Sequence, residues 1–247
     1  MDSKRMDAFI RRLRTVDPHR SPFEKFRDIC ELAFCAHAKP TAPTPERAQA
    51  LEDRYMHIVG TYRDKDTIRA YRELLALAFI AVSAGGCDFL GHVASDLEIL
   101  DARNGQFFTP YEVSRAMAMM TLVDVKPKIE EHGFITICEP ACGAGGMVLA
   151  CADTLADQGF DPSRSMLVQA TDVASLCYHM TFMQLTMRGI AANVQHGNSL
   201  SLETFDQAWT LPTVAFYAHH GKLFPPGHSK AAESAPRQTS PKQLSFL

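Results

Sequence analysis

Apolar side chains return every three to four residues through the first hundred positions, the period of a helix with one buried face. In "FEKFRDICELAFCAHA" that period places Phe23, Phe26, Ile29, Cys30, Leu32 and Ala33 near one face, and residues 1–36 read as helix. The proline-containing "KPTAPTPERAQ" interrupts the pattern, and a second helix, "ERAQALEDRYMHIVGTY", starts at Pro45 and Glu46. "DKDTIRAYRELLALAFIAVSA" is a third, closed by Gly85 and Gly86, and "DFLGHVASDLEIL" a fourth. Residues 1–103 are expected to be a helical region.

The pattern then changes. "FITIC" (134–138) is a short β-branched run behind a glycine, the mark of a buried strand. "EPACGAGG" follows, then the helix "MVLACADTLADQ". "MLVQATD" (166–172) reads as a second strand and "ASLCYHMTFMQLTMRG" as a helix closed by Gly189. "ANVQHGN" reads as a third strand and "LPTVAFYA" as a fourth. Strands alternating with helices predict an α/β fold with a parallel sheet and right-handed crossovers. Residues 104–224 form this unit, and the polar, proline- and serine-rich stretch 225–247 is expected to be a disordered tail.

Composition changes this picture little. Of 247 residues 46% are hydrophobic, enough for a sizeable core, and the net charge of −3 singles out no acidic or basic partner. No run of 18 apolar residues suggests a membrane span, and "MDSKRMDAFIRRLRTVD" lacks the apolar stretch of a signal peptide. The 7 cysteines contain no Cys-x-x-Cys pair, so reduced thiols in a cytoplasmic protein are expected, and no metal site. Arg11, Arg12 and Arg14 give the helical region a basic face that suits solvent as well as DNA.

Three segments carry candidate chemistry. "NGQFFTPYEVSRAMAMM" (104–120) breaks a helix at Phe-Phe-Thr-Pro and restarts it at the proline, leaving two adjacent aromatics in the break. Such a pair suits a flat or apolar ligand, and suits core packing as well. "FITICEPACGAGGMVL" runs from a strand through Glu139 into a loop with Gly143, Gly145 and Gly146, then a helix. Glycines let a backbone approach a ligand at a helix N-terminus. Glu139 would repel a phosphate there and would welcome a positively charged amino-acid sulfonium. Asp172, at the tip of the second strand, suits either ribose hydroxyls or a helix N-cap. Asn198 in "HGNSL" could meet an adenine edge or simply close a turn.

Taken together, "GQFFTP", "EPACGAGG", "ATD" and "GNSL", in this order, resemble the adenine-specific (N6) DNA methyltransferases, nearest to the modification subunit of type I restriction-modification systems. "CDFLGHVASDLEIL" and "TFMQLTMRGI" are similar to that family's flanking helices, so the resemblance spans about residues 85–210. It implies a Rossmann-like S-adenosylmethionine-dependent sheet and S-adenosylmethionine as cofactor. Phe107, Phe108, Thr109 and Pro110 would close the methionine end of the pocket. Glu139, Pro140, Ala141, Gly143, Gly145 and Gly146 would hold the amino-acid moiety, Asp172 the ribose and Asn198 the adenine, where the family usually has aspartate. DNA is the implied substrate, with a specificity subunit or other restriction-modification subunit as a possible companion.

The family's catalytic tetrapeptide, Asn/Asp/Ser-Pro-Pro-Tyr/Phe, comes after a Phe-Asp pair. Here the pair is Phe205-Asp206 and the aligned tetrapeptide is Leu211-Pro212-Thr213-Val214. Leucine accepts no hydrogen bond and valine offers no ring. Losing one preorganised polar group and one stacking face amounts to roughly a thousandfold or more in rate. By the same resemblance the sheet would call for roughly three more strands than the remaining residues provide. These departures set a pseudoenzyme, a DNA- or protein-binding regulatory or anti-restriction factor of a mobile element, against an active methyltransferase. The final "PKQLSFL" reads first as a plain tail, and it also resembles a sliding-clamp-binding peptide through Gln243, Leu244, Phe246 and Leu247.

Overall fold

The computed structural model describes residues 3–99 and 108–224. Phe107 and the clamp-like Gln243, Leu244, Phe246 and Leu247 therefore lie outside the described residues. Five helices come first: α1 (Ser3–Thr15), α2 (Pro22–Ala38), α3 (Pro45–Gly60), α4 (Lys65–Ser83) and α5 (Phe89–Asp96). The single helix expected over 1–36 is two. Asp17 takes a left-handed φ of +41°, and Ser21 starts α2 with a capping box. Its hydroxyl accepts the Glu24 N–H at 3.2 Å, and the Glu24 carboxylate accepts the Ser21 N–H at 2.9 Å. Lys25 closes the break from inside, its buried Nζ donating to the Val16 carbonyl at 2.7 Å.

The second part comprises α6 (Tyr111–Thr121), α7 (Lys126–His132), β1 (Ile135–Glu139), α8 (Gly146–Asp157) and α9 (Pro162–Ser165), then β2 (Met166–Asp172), α10 (Ser175–Arg188), β3 (Ala191–Asn198), β4 (Glu203–Trp209) and α11 (Pro212–His220). The sheet order is β1-β2-β3-β4, with β1, β2 and β3 parallel and β4 antiparallel to β3. The first three strands stand where the apolar runs placed them. The fourth does not: "LPTVAFYA" is helix α11, begun by Pro212 in its first turn, and the strand is the preceding "ETFDQAW". Its direction follows from the connection. The few residues between Asn198 and Glu203 can turn the chain back, whereas a parallel crossover needs a dozen or more.

The helical region and the sheet share one core. A single buried cluster runs from Met6 in α1 to Ala208 in β4. Its centre is α10, buried nearly all round by Cys177, Tyr178, Met180, Phe182, Met183 and Leu185, which is why its sequence shows no strong amphipathic stripe. Helix α11 covers the other sheet face through Phe216, packed with Phe134, Leu167 and Ala191. No helix among the described residues is long and apolar enough to cross a membrane.

One carboxylate fastens these parts together. Asp153, on α8, accepts the Gly86 N–H at 2.6 Å and the Tyr111 hydroxyl on one oxygen, and Arg188 Nη2 at 2.8 Å on the other. It thereby joins the turn before α5, the first residue of α6 and the last residue of α10. Removing one partner of a buried ion pair leaves the other charge unpaired in the interior. Asp153→Ala is expected to lower stability by about 3–5 kcal/mol, and Tyr111→Phe by about 1 kcal/mol. Urea unfolding of the two variants checks this; an Asp153→Ala loss within the range of ordinary surface substitutions would show the hub to be dispensable.

Candidate functional site

A parallel strand directs the loop after its C-terminal end toward its neighbour's, and ligands bind in the crevice between them. Here those loops are 140–145 after β1 and 173–174 after β2. The first would not sit still without help, and three side chains hold it. Asp172, the last residue of β2, accepts the Gly143 N–H on Oδ2 at 2.8 Å and the Ala174 N–H on Oδ1 at 2.9 Å. Thr181 on α10 donates to the Gly143 carbonyl at 2.8 Å. Gln184, one turn further, donates to the Ala144 carbonyl at 2.7 Å and to Asp88 Oδ1 at 2.6 Å.

Two of the glycines are required by space. Gly143 has a φ of +56°, and a Cβ there would stand 3.1 Å from the Phe108 ring. At Gly146, the start of α8, a Cβ would stand 2.7 Å from the Asp88 carboxylate. The Phe-Phe-Thr-Pro break thus meets the glycine loop: Phe108 lies against Gly143, while Thr109 and Pro110 are exposed at the rim. Pro110 caps α6, and Tyr111 ties that helix to Asp153.

Phe108, Glu139, Cys142, Gly143, Gly146 and Met147 line a cavity of about 260 Å³. Ala141 is exposed on its lining, and Pro140, exposed beside it in the chain, is not among the lining residues. Among the described residues, no lysine, arginine or histidine lines it. Glu139 is half-buried and accepts only a long hydrogen bond, 3.3 Å, from the Ala141 N–H. Burial raises its pKa above the ordinary carboxylate value, the Ala141 N–H offsets part of that, and the nearby Asp172 charge adds to it. Among the described residues neither acid has an ion-pair partner. The cavity therefore offers the negative charge of Glu139 at β1, apolar side chains and the N-terminus of a 12-residue helix, while the second carboxylate, Asp172 at β2, is not among its lining residues and holds the loop at Gly143.

The remaining sequence candidates stand elsewhere. Asn198 turns its Oδ1 back to the Leu200 N–H at 2.9 Å and the Ser201 N–H at 3.3 Å, and its side-chain amide is not among the cavity's lining groups. Asp206 is held by Arg47 of α3 at 2.6 and 2.7 Å. Leu211-Pro212-Thr213-Val214 lies at the opposite end of the sheet. Because β4 is antiparallel, its end is level with Ala192, to which Thr210 donates at 2.9 Å. Asp172 is level with His196, four residues along β3, or roughly 13 Å. Leu211 and Pro212 instead line an apolar groove of about 610 Å³ with Phe79, Met183 and Met187. That groove is larger than the cavity, but among the described residues His37 is the sole ionisable side chain on its wall, so it offers little chemistry.

Sequence reasoning missed Asp88, Ser114, Thr181 and Gln184. Their signal was a polar residue inside an apolar helical run: Thr181 and Gln184 sit three apart in "TFMQLTM", on one face of a buried helix.

The family model of the N-6 DNA methylases matches residues 90–238. No curated protein sequence matches the chain. Among solved structures it is similar to a protein from Listeria monocytogenes assigned as a class I S-adenosylmethionine-dependent methyltransferase. Identity is 16% and the TM-score 0.41, over 80% of this chain and 54% of that one. The chain thus spans about half the length of that protein.

Glu139 yields a test of the site's electrostatics. Its folded-state pKa is raised, so the ionised form destabilises the fold, and this cost grows as pH rises above the ordinary value of 4.5. Below that value both states are protonated and the cost vanishes. Glu139→Gln is expected to melt higher than the wild type at pH 7 and at the same temperature at pH 3. A lower melting temperature at pH 7 would mark Glu139 as a structural group rather than a ligand group.

Proposed function

This chain belongs to the N-6 DNA methylase family, and on that premise we propose that its cavity binds S-adenosylmethionine for methyl transfer to the 6-amino group of adenine in DNA. The observation that carries the reading is the pair Glu139 and Asp172, two carboxylates that accept from N–H groups of one glycine loop and have no ion-pair partner among the described residues. The cofactor's chemistry fits that donor set. Its ammonium is the missing partner of Glu139. Asp172 uses two of its roughly four acceptor positions on backbone N–H groups, which leaves capacity for ribose hydroxyls. Phe108 and Met147 supply apolar contact for the methylene chain.

Once bound, the cofactor supplies an electrophilic methyl carbon on a sulfonium. The protein's part is to hold its two polar ends and keep water from the reacting carbon. Phe108 at Gly143 forms one wall of that enclosure. Pinning Gly143 from both sides, by Asp172 on its N–H and Thr181 on its carbonyl, keeps the loop in place before the ligand arrives. The 6-amino nitrogen becomes nucleophilic when acceptors take its hydrogens, and a flipped adenine needs a face to stack on.

A second reading has one observation in its favour. Leu211-Pro212-Thr213-Val214 offers neither acceptor nor ring and stands at the far end of the sheet. On that reading the chain is a non-catalytic relative that keeps cofactor binding for a regulatory role.

Isothermal titration with S-adenosylmethionine is expected to give micromolar affinity. Asp172→Ala is expected to weaken it by at least about 1.5 kcal/mol, roughly tenfold. Absence of binding at millimolar cofactor would reject both readings. Transfer of labelled methyl to adenine in duplex DNA would select the first; binding without transfer, the second.

A further inference from the structure

The buried face of α6 consists of Tyr111, Ser114 and Ala118. Ser114 is 1% exposed, and among the described residues its hydroxyl has no hydrogen-bond partner. A helical serine ordinarily relieves such burial by donating to the carbonyl four residues back. Here that carbonyl, of Pro110, takes the Ser114 N–H at 3.1 Å and not the hydroxyl. An unpaired buried hydroxyl is costly, and this one lines the same cavity as Glu139 and Gly146.

The cavity's donors decide what it could meet. Glu139 only accepts while ionised. Among the described lining residues, which include no cationic side chain, a ligand carboxylate would find hydroxyl donors from Ser114 and Thr109 and the positive end of α8, which begins at Gly146. Of the two hydroxyls Thr109 is exposed to water, whereas Ser114 stands on a helix locked to α8. That lock is Arg115, which donates to the Ala150 carbonyl at 3.0 Å and to the Thr154 hydroxyl at 2.7 Å. A donor on a rigid element loses little freedom when it binds.

We propose that Ser114 is a cofactor-binding residue whose hydroxyl donates to the α-carboxylate of S-adenosylmethionine, while Glu139 takes the α-ammonium. This inference rests on the cofactor reading above. It makes the cavity a reader of both charges of an amino acid with no arginine or lysine among its described lining residues. The unpaired hydroxyl is then a cost of the empty protein that the ligand removes.

Titrating wild type and Ser114→Ala with S-adenosylmethionine, S-adenosylhomocysteine and decarboxylated S-adenosylmethionine tests it, alongside the melting temperature of each free protein. Ser114→Ala should melt higher than the wild type. It should bind the two carboxylate-bearing ligands about tenfold more weakly and the decarboxylated one with unchanged affinity. Equal loss for all three ligands, no loss for any, or a lower melting temperature would overturn the assignment of Ser114 while leaving the cofactor reading intact. A wild type that binds none of the three would overturn both.

Discussion

The cavity depends on Asp153. The pieces around it come from three distant stretches: the turn at Gly86, the helix that begins at Tyr111 and the α8 helix that opens at Gly146. Each alone has no fixed relation to the others. Asp153 receives one hydrogen-bond donor from the turn, one from α6 and a guanidinium from the end of α10. Three donors on one buried carboxylate constrain both distance and direction, which apolar packing does not. The turn it fixes leads directly to Asp88, behind the glycine loop, and Tyr111 comes directly after the loop that puts Phe108 over Gly143. A stability determinant two turns along α8 thereby sets the geometry at that helix's beginning.

Acids gather around the glycine loop at an apparent cost. Asp88 is completely buried with a raised pKa, burial being the chief cause, and Glu139 is raised as well. What makes them tolerable is direction. The N–H groups of Gly143, Ala174 and Gly91 point at carboxylates, and α8 turns its positive end toward them. Asp172 and Asp88 are largely satisfied in this way. Glu139 has only one long backbone contact. The difference separates the carboxylates that hold the loop from the one that does not; on the proposed reading Asp172 holds the loop and keeps acceptor capacity for the ribose, while Glu139 is left to the ammonium.

Much of this was legible in the sequence, for identifiable reasons. The first three strands are short apolar runs buried on at least one face, and runs of that kind announce themselves. The break at Phe-Phe-Thr-Pro was visible because proline forbids the preceding residue a helical conformation, and Phe108 does lie at the glycine loop. The split at Asp17 was hidden because an apolar rhythm runs on through both helices, while the capping box that ends it depends on two side chains, Ser21 and Glu24. Ser114, Thr181 and Gln184 were hidden for a different reason. Their neighbours in sequence are ordinary helix residues, and their meaning comes from the groups that the fold places opposite them.

The fourth strand shows how topology overrides alignment. Phe205-Asp206 and the four residues at 211–214 were matched to a motif that must stand beside the cofactor. In a parallel sheet every strand delivers its following residue to the same end. The turn between Asn198 and Glu203 is too short for a crossover, so β4 returns toward the start of β3, and the residues after β4 are delivered to the other end. Thr210 and Thr213 then bond to the opening of β3, and Asp206 pairs with Arg47 of the helical region. What counts at Leu211 and Val214 is thus their place more than their side chains, because an asparagine and a phenylalanine there would face the groove of α4 and α10 or open solvent, away from Glu139 and Asp172. On the proposed reading, the groups that hold the base have to reach the end of the sheet where Glu139 and Asp172 stand.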